Sequence, residues 1–133
     1  MNRISIMGCP MDVATVSETV DVIDHAICKN KFTQHVVVNV AKLVNMQNDL
    51  VLSNSIRECD IINIDGMGIV LGARFLGYNI PERVAGIDLF LKLISMSDTN
   101  NYHISLLCST DEVVINTDSQ FRLLCPKINI TVY

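Results

Sequence analysis

Charged residues are few in this sequence, and no stretch of it concentrates positive charge. Asp, Glu, Lys and Arg make up 18% of the 133 residues, against about a quarter in typical soluble domains. Ten Lys and Arg stand against fourteen Asp and Glu, which gives a formal net charge of -4. Sequence-independent binding to nucleic acid needs a basic surface that attracts phosphates, so we do not expect nucleic acid as a partner.

The five cysteines lack the spacing of a metal site. They are scattered through apolar segments, and no two of them form a C-x-x-C pair: Cys9, Cys28, Cys59, Cys108 and Cys125. An odd number of dispersed cysteines is typical of free thiols in a reducing compartment. The three histidines form no ligand-spaced cluster with them, so we predict no metal site.

We predict neither a leader segment nor a membrane-spanning segment in this sequence. No basic segment followed by an apolar one opens the chain, and its apolar runs fall well short of the roughly 20 residues that cross a bilayer. We therefore expect a cytoplasmic protein. Half of the residues are nevertheless hydrophobic, so the chain is apolar for its size. We expect part of this excess to lie at the surface, under a partner or under further sequence.

What the sequence does contain is a buried strand that ends in a carboxylate and two glycines. The run Ile61–Ile64 is too short for a helix and rich in β-branched residues, which favours a strand. The segment Asp65–Gly68, which reads DGMG, follows it, and an amphipathic helix is predicted over Ile69–Leu76 with Gly77 as its C-cap. Open α/β sheets bind ligands outside the carboxyl ends of their strands, so Asp65 stands where a ligand would lie.

The rest of the chain alternates short apolar runs with amphipathic segments, which is typical of an α/β fold. The remaining predicted elements are, in chain order, a hairpin of strands Arg3–Gly8 and Met11–Val13, a helix from an N-cap at Ser17 to Lys29, a strand His35–Val40, a helix Ala41–Leu52, a helix Ile87–Met96, a turn Ser97–Asn101, a strand Tyr102–Leu107, a helix Asp111–Leu124 that Pro126 stops, and a strand Ile128–Tyr133. The two buried strands around Ala41–Leu52 form a βαβ unit, which requires parallel pairing. We predict one Rossmann-like α/β domain over residues 1–133, with a mostly parallel sheet flanked by helices and a small N-terminal β-hairpin.

Asp65 is the first candidate for chemistry. A carboxylate in a cleft can act as a general base that takes a proton from an attacking group. The alternative is that Asp65 caps the following helix, and that Gly66 and Gly68 serve only the turn. Asn39 ends a neighbouring parallel strand and so lies in line with Asp65. Its amide would bind a ligand hydroxyl or satisfy local backbone groups.

Two blocks of this region resemble the signature of a known family. DGMGIV at Asp65–Val70 and PERVAGIDL at Pro81–Leu89 are similar to the WecG/TagA/CpsF glycosyltransferases, and a weaker similarity runs from about Ile4 to the end. The resemblance implies an inverting, metal-independent enzyme without a cofactor. Such an enzyme moves an N-acetylhexosamine, typically N-acetylmannosamine, from a UDP-sugar onto a polyprenyl-diphosphate-linked GlcNAc. The product would serve the synthesis of cell-surface polysaccharide or teichoic acid.

The resemblance also implies roles for single residues. Asp65 would be the base for the acceptor hydroxyl. Arg83 would neutralise the charge that develops on the leaving diphosphate, through bidentate hydrogen bonds. The alternative for Arg83 is a surface ion pair with Glu82 or Asp88. The other substrate-binding residues implied in this way are Asn39, Gly66, Gly68 and Gly86.

The chain departs from the family in three ways. Val37 stands where the family has the Thr of a Thr-x-Asn, and no glycine follows the strand Tyr102–Leu107, where the family has a Gly-rich turn. By resemblance the chain also lacks a C-terminal part, roughly another half of its length, which is a domain-scale segment. That part would close the site and meet the inner face of the membrane, where the lipid-linked acceptor lies.

Three functions therefore stay open at this point. The first is the glycosyltransferase. The second is an inactive truncated or split-gene half that binds a nucleotide or a complementary subunit, and the third is a structural module without a ligand. The partners implied for the first are a UDP-sugar donor, a lipid-linked sugar acceptor, and a second copy or a complementary C-terminal half.

Overall fold

The computed structural model describes residues 1–125 and 127–133. The helix stop predicted at Pro126 lies outside the described residues. The chain divides into two compact units, Met1–Leu89 and Phe90–Tyr133. The single-domain organisation stays a prediction.

Strands and helices alternate along the chain, as the pattern of apolar runs predicted. The elements are β1 Asn2–Ile6, β2 Cys9–Val13, α1 Val16–Cys28, β3 His35–Val38, α2 Val40–Asn45, α3 Leu50–Arg57, β4 Ile61–Ile64, α4 Met67–Phe75, α5 Gly86–Asn100, β5 His103–Leu106, α6 Asp111–Leu124 and β6 Asn129–Val132. Among the described residues, no helix is long and apolar enough to cross a bilayer.

The first unit is built on a four-stranded sheet in the order β1-β2-β4-β3. Strands β1 and β2 form the predicted antiparallel hairpin, whose two-residue turn places Met7 and Gly8 at positive φ, as a type I′ turn requires. Strand β4 pairs in parallel with β2 on one side and with β3 on the other. The mostly parallel sheet, the βαβ unit and the hairpin are confirmed.

Strand β4 lies at the centre of the core. All four of its residues are buried, because strands flank it on both edges and other side chains cover both of its faces. Apolar side chains of the hairpin, β3, α2, α3 and α4 pack around it, among them Met11, Val38, Leu43, Ile56 and Val70. This packing fixes the end of β4, and with it the place of Asp65.

A buried carboxylate joins the hairpin to β4. Asp12 is buried and accepts two hydrogen bonds from the Arg3 guanidinium, at 2.8 and 2.7 Å, and one from the Ile62 N–H at 2.8 Å. Three donors on one carboxylate satisfy it inside the core. The Asp12 carboxylate is therefore a structural group at the hairpin.

Several predicted boundaries near the site were wrong, because side-chain caps decided them. Helix α1 starts at Val16 with Thr15 as its N-cap, in a capping box with Glu18, and not at Ser17. Strand β3 ends at Val38, since Asn39 is already the N-cap of α2. The single helix predicted over Ala41–Leu52 is two helices, and Asp49 caps the second one.

Helix α4 begins at Met67, two residues before its predicted start. Its end follows the prediction, because Gly77 adopts a φ of 88° directly after the C-cap Leu76. The Gly77 N–H donates to Arg74 and the Tyr78 N–H donates to Ala73, which is the hydrogen-bond pattern of a Schellman motif. Helix α5 is longer than predicted and runs to Asn100, so most of the predicted turn Ser97–Asn101 is helical.

The second unit contains two parallel strands and a helix of its own. Strand β5 pairs with β6 from His103↔Asn129 to Leu106↔Val132. Its apolar cluster includes Ile94, Ile128, Ile130 and Phe121, and the Phe121 ring meets Phe90 edge-on at a centroid distance of 5.8 Å. The bounds predicted for α6 agree with the structure.

Candidate active site

Asp65 lies at the carboxyl end of the central strand, as predicted. Its N–H donates to the Val38 carbonyl at 2.8 Å, and its side chain is half-buried. Within the part of the chain that the structure describes, no hydrogen bond or ion pair engages its carboxylate. The N-cap of α4 is Gly66, and no side chain caps that helix. The interpretation of Asp65 as a helix cap was therefore wrong.

Glycine occupies the two positions of the DGMG segment for different structural reasons. Gly66 adopts a φ of 106°, which strongly favours glycine. A Cβ on Gly68 would lie 2.9 Å from the Val40 Cγ2 atom, so glycine lets α4 approach the first residue of α2. A Cβ on Gly66 would lie 4.0 Å from the Asn39 Cβ atom. Asn39 and the start of α4 are thus neighbours, and substrate contact by either glycine stays a prediction.

Asn39 stands beside Asp65 at the end of the adjacent strand. Its Oδ1 atom accepts a hydrogen bond from the Lys42 N–H at 2.9 Å and caps α2. Among the described residues, its Nδ2 group makes no hydrogen bond. The side chain therefore satisfies local backbone through its oxygen and keeps an amide donor for a ligand hydroxyl.

The loop that carries Arg83 is attached to the same strand end. The Val84 N–H donates to the Ile64 carbonyl at 2.8 Å, while the Asp65 N–H donates to Val38. The Ile64 carbonyl and the Asp65 N–H belong to one trans peptide unit, so they point in opposite directions. Asp65 is therefore held between β3 and the Arg83 loop.

Two side chains that the sequence did not single out hold this loop in place. The Arg74 guanidinium donates to the Ile80 carbonyl at 2.8 Å, and a Glu82 carboxylate oxygen accepts from the Val16 N–H at 2.6 Å. In the sequence, Glu82 draws attention only as a neighbour of Arg83. Its partner Val16 lies 66 residues away, so no local pattern could have found this contact.

Arg83 itself is only loosely paired. Its guanidinium lies 3.8 Å from the Asp88 carboxylate, and 45% of its side chain is exposed. The predicted ion pair with Asp88 is present, but a surface pair of this length stabilises the fold little. A Cβ on Gly86 would lie 3.4 Å from the Val37 side chain, which is an ordinary contact. The structure thus shows no steric need for glycine at position 86.

One cavity of this unit does not coincide with the predicted residues. It has a volume of about 470 Å³ and is lined by Val22, His25, Lys31, Asp60 and Ile61 among others, which places it at the amino ends of β3 and β4. We place the candidate site at the opposite edge, because parallel strands direct ligands to their carboxyl ends. Within residues 1–125 and 127–133, no group of three or more His, Cys, Asp or Glu side chains could hold a metal ion.

Comparison with known proteins identifies the family of this chain. The model of the glycosyl transferase WecG/TagA/CpsF family matches residues 4–133. An N-acetylglucosaminyldiphosphoundecaprenol N-acetyl-β-D-mannosaminyltransferase of Bacillus spizizenii is 28% identical over 89 residues, which is 67% of this chain and 33% of that protein. The match thus spans about a third of the length of the relative. Because the family model covers nearly the whole chain, this protein belongs to the WecG/TagA/CpsF glycosyltransferase family.

Proposed function

We propose that this chain carries the acceptor-activating part of an inverting glycosyltransferase. The enzyme would move an N-acetylhexosamine, in the first instance N-acetylmannosamine, from a UDP-sugar onto a polyprenyl-diphosphate-linked GlcNAc. Family membership supports the reaction type, and the name of the Bacillus relative supports this donor sugar and acceptor. The acceptor is a lipid, so the protein would work at the inner face of the membrane as a peripheral protein.

The observation that carries the proposal is the setting of Asp65. Its carboxylate is half-buried and unengaged by the described residues, and the peptide before it is bonded on one side to β3 and on the other to the loop of Arg83. A general base must be fixed in place and free to accept a proton. The backbone of Asp65 is fixed by these two bonds, and its carboxylate is free of other partners among the described residues.

The chemistry is a single displacement at the anomeric carbon. Asp65 takes the proton of the acceptor hydroxyl, while the oxygen of that hydroxyl forms the new bond to C1 of the donor sugar. The bond from C1 to the diphosphate breaks, and UDP leaves with that electron pair. Arg83 neutralises the charge on the leaving diphosphate. The free amide donor of Asn39 binds a sugar hydroxyl.

The test is a UDP-release assay with an undecaprenyl-diphosphate GlcNAc analogue and UDP-N-acetylmannosamine. We expect Asp65→Asn to lower turnover by about 100-fold or more, because it removes a general base. The matched control is Asp49→Asn, which makes the same change at the N-cap of α3, where asparagine caps equally well. Turnover that survives in Asp65→Asn would remove Asp65 as the base.

A second candidate function follows from the length of the match. The match spans about a third of the relative. The second candidate is therefore an inactive truncated or split-gene half that binds a nucleotide or a complementary subunit. A rise in melting temperature with UDP, without UDP release from the UDP-sugar, would favour this candidate. Turnover by the chain alone would exclude it.

A further inference from the structure

One carboxylate next to the candidate site makes a bond across the fold that the reaction does not use. A Glu82 carboxylate oxygen accepts from the Val16 N–H at 2.6 Å, and Val16 is the first residue of α1. The N–H groups of a first helical turn have no partner inside the helix and carry partial positive charge. A carboxylate is a strong acceptor for such a group.

Helix α1 does not depend on Glu82 for its cap. Thr15 already caps it, and the Glu18 carboxylate accepts from the Thr15 N–H at 2.7 Å to complete a capping box. The contact with Glu82 is additional to that local cap. Its main effect is therefore on the other partner, the loop in which Glu82 lies.

That loop is anchored on both sides of Arg83. On the amino side, Glu82 is bonded to Val16; on the carboxyl side, the Val84 N–H is bonded to the Ile64 carbonyl and the Val84 side chain is buried. Arg83 has only a 3.8 Å approach to Asp88 to orient its own side chain. The place of its backbone is thus set by its two neighbours.

We propose that Glu82 is a positioning residue, which holds Arg83 where its guanidinium meets the diphosphate of a nucleotide sugar beside Asp65. This inference rests on the proposed function, since it takes Arg83 to be the diphosphate contact. Without the bond to Val16, the residue next to Arg83 is no longer fixed, and the nearest anchor before it is the bond from Arg74 to the Ile80 carbonyl. A guanidinium can bind two phosphate oxygens at once only from a suitable position, so a small displacement of Arg83 weakens nucleotide binding.

The first test compares substitutions on the two sides of the bond by calorimetric titration with UDP. Glu82→Ala removes the acceptor, and Val16→Pro removes the donor N–H at a helix position that proline tolerates. We expect each to weaken UDP binding by about tenfold or more. Glu82→Gln keeps an acceptor oxygen and should bind UDP nearly as the wild type does.

The matched control is Glu18→Ala, which removes a carboxylate from the same helix terminus but leaves the loop bond intact. We expect it to lower the melting temperature without weakening UDP binding. If Glu18→Ala and Glu82→Ala weaken UDP binding equally, Glu82 stabilises only α1 and the inference is wrong. Wild-type binding by Glu82→Ala or by a folded Val16→Pro would also overturn it.

A double-substitution cycle with Arg83→Ala separates positioning from general stability. If Glu82 acts through Arg83, adding Glu82→Ala to Arg83→Ala produces little further loss of UDP affinity. Losses that add fully would contradict the inference while the proposed function stands. A wild-type chain that binds no UDP overturns both, so the two failures are distinguishable.

Discussion

Three polar side chains, one of them on the central strand β4, form a hydrogen-bonded row in the interior. The His35 Nε2 atom lies 2.8 Å from the Asn63 Oδ1 atom, and the Asn63 amide donates to the Thr19 hydroxyl at 3.1 Å. Asn63 and Thr19 are fully buried, while His35 begins the edge strand β3. Burial lowers the pKa of His35 below its ordinary value of 6.5, against the hydrogen bond to Asn63, which raises it.

This network predicts a pH dependence of stability. Because the pKa of His35 is lower in the folded state, the unfolded chain takes up the proton first as the pH falls below 6.5. The stability that depends on neutral His35 is therefore complete above that value and decreases below it. We expect the free energy of unfolding in urea to fall from about pH 7.5 to about pH 5.5, and to fall less in His35→Gln. Equal decreases in both proteins would contradict this account.

The site residues divide into those that the sequence could predict and those that it could not. The places of Asp65 and Asn39 followed from two buried runs, because parallel strands bring their carboxyl ends to one edge. The anchors Glu82 and Arg74 did not follow, since each bonds a backbone group that only the folded chain brings near. The free state of the Asp65 carboxylate could not be predicted either, because it depends on Gly66 being the N-cap.

At the scale of elements, apolar spacing predicted which segments are helical better than it predicted where they break. The apolar spacing along the predicted helix Ala41–Leu52 predicts that four side chains face inward: Leu43, Val44, Met46 and Leu50. Leu43 and Met46 are buried, but Val44 and Leu50 are exposed. The chain turns after Met46, and Asp49 starts a new helix through its bond to the Leu52 N–H. A cap outweighed continuous helical spacing here, since an Asp N-cap is worth about 1 kcal/mol.

Two glycines, one inside helix α4 and one directly after its C-cap, provide a matched pair for testing how backbone conformation affects stability. Gly72 lies inside the helix at ordinary φ, whereas Gly77 follows it at a φ of 88°, and a Cβ on either would meet no atom within 4 Å. We expect Gly72→Ala to raise the free energy of unfolding by about 0.5–1 kcal/mol, because alanine loses less backbone entropy. Gly77→Ala should lower it by about 1–2 kcal/mol, because a Cβ disfavours left-handed backbone. Chemical denaturation measures both, and effects of the same sign would show that backbone conformation is not the cause.

At the scale of the whole molecule, the composition predicted more apolar residues than the core could hold. The chain is half hydrophobic, and several large side chains of the first unit are exposed. On α4, 59% of Leu71 and 92% of Phe75 are accessible to solvent, although Val70, directly before Leu71, is buried. Helix α4 is thus apolar on its outer as well as its inner face, and an apolar outer face of this kind favours association.

Because the outer face of α4 is apolar and exposed, we expect substitutions on it to change solubility but not stability. Leu71→Gln with Phe75→Gln removes exposed apolar area but little buried area, so the free energy of unfolding should change by less than about 0.5 kcal/mol. Binding of a dye that fluoresces on apolar surfaces, and light scattering at high concentration, should both decrease.

Val70→Ala is the control on the inner face of the same helix, since Val70 is 1% exposed. It should cost about 1–3 kcal/mol, because it leaves a cavity in the core, and should leave dye binding to the folded protein unchanged. If the double substitution destabilises the protein as much as Val70→Ala, the outer face of α4 is covered in solution, and its exposure in a single chain is not the state that the protein adopts.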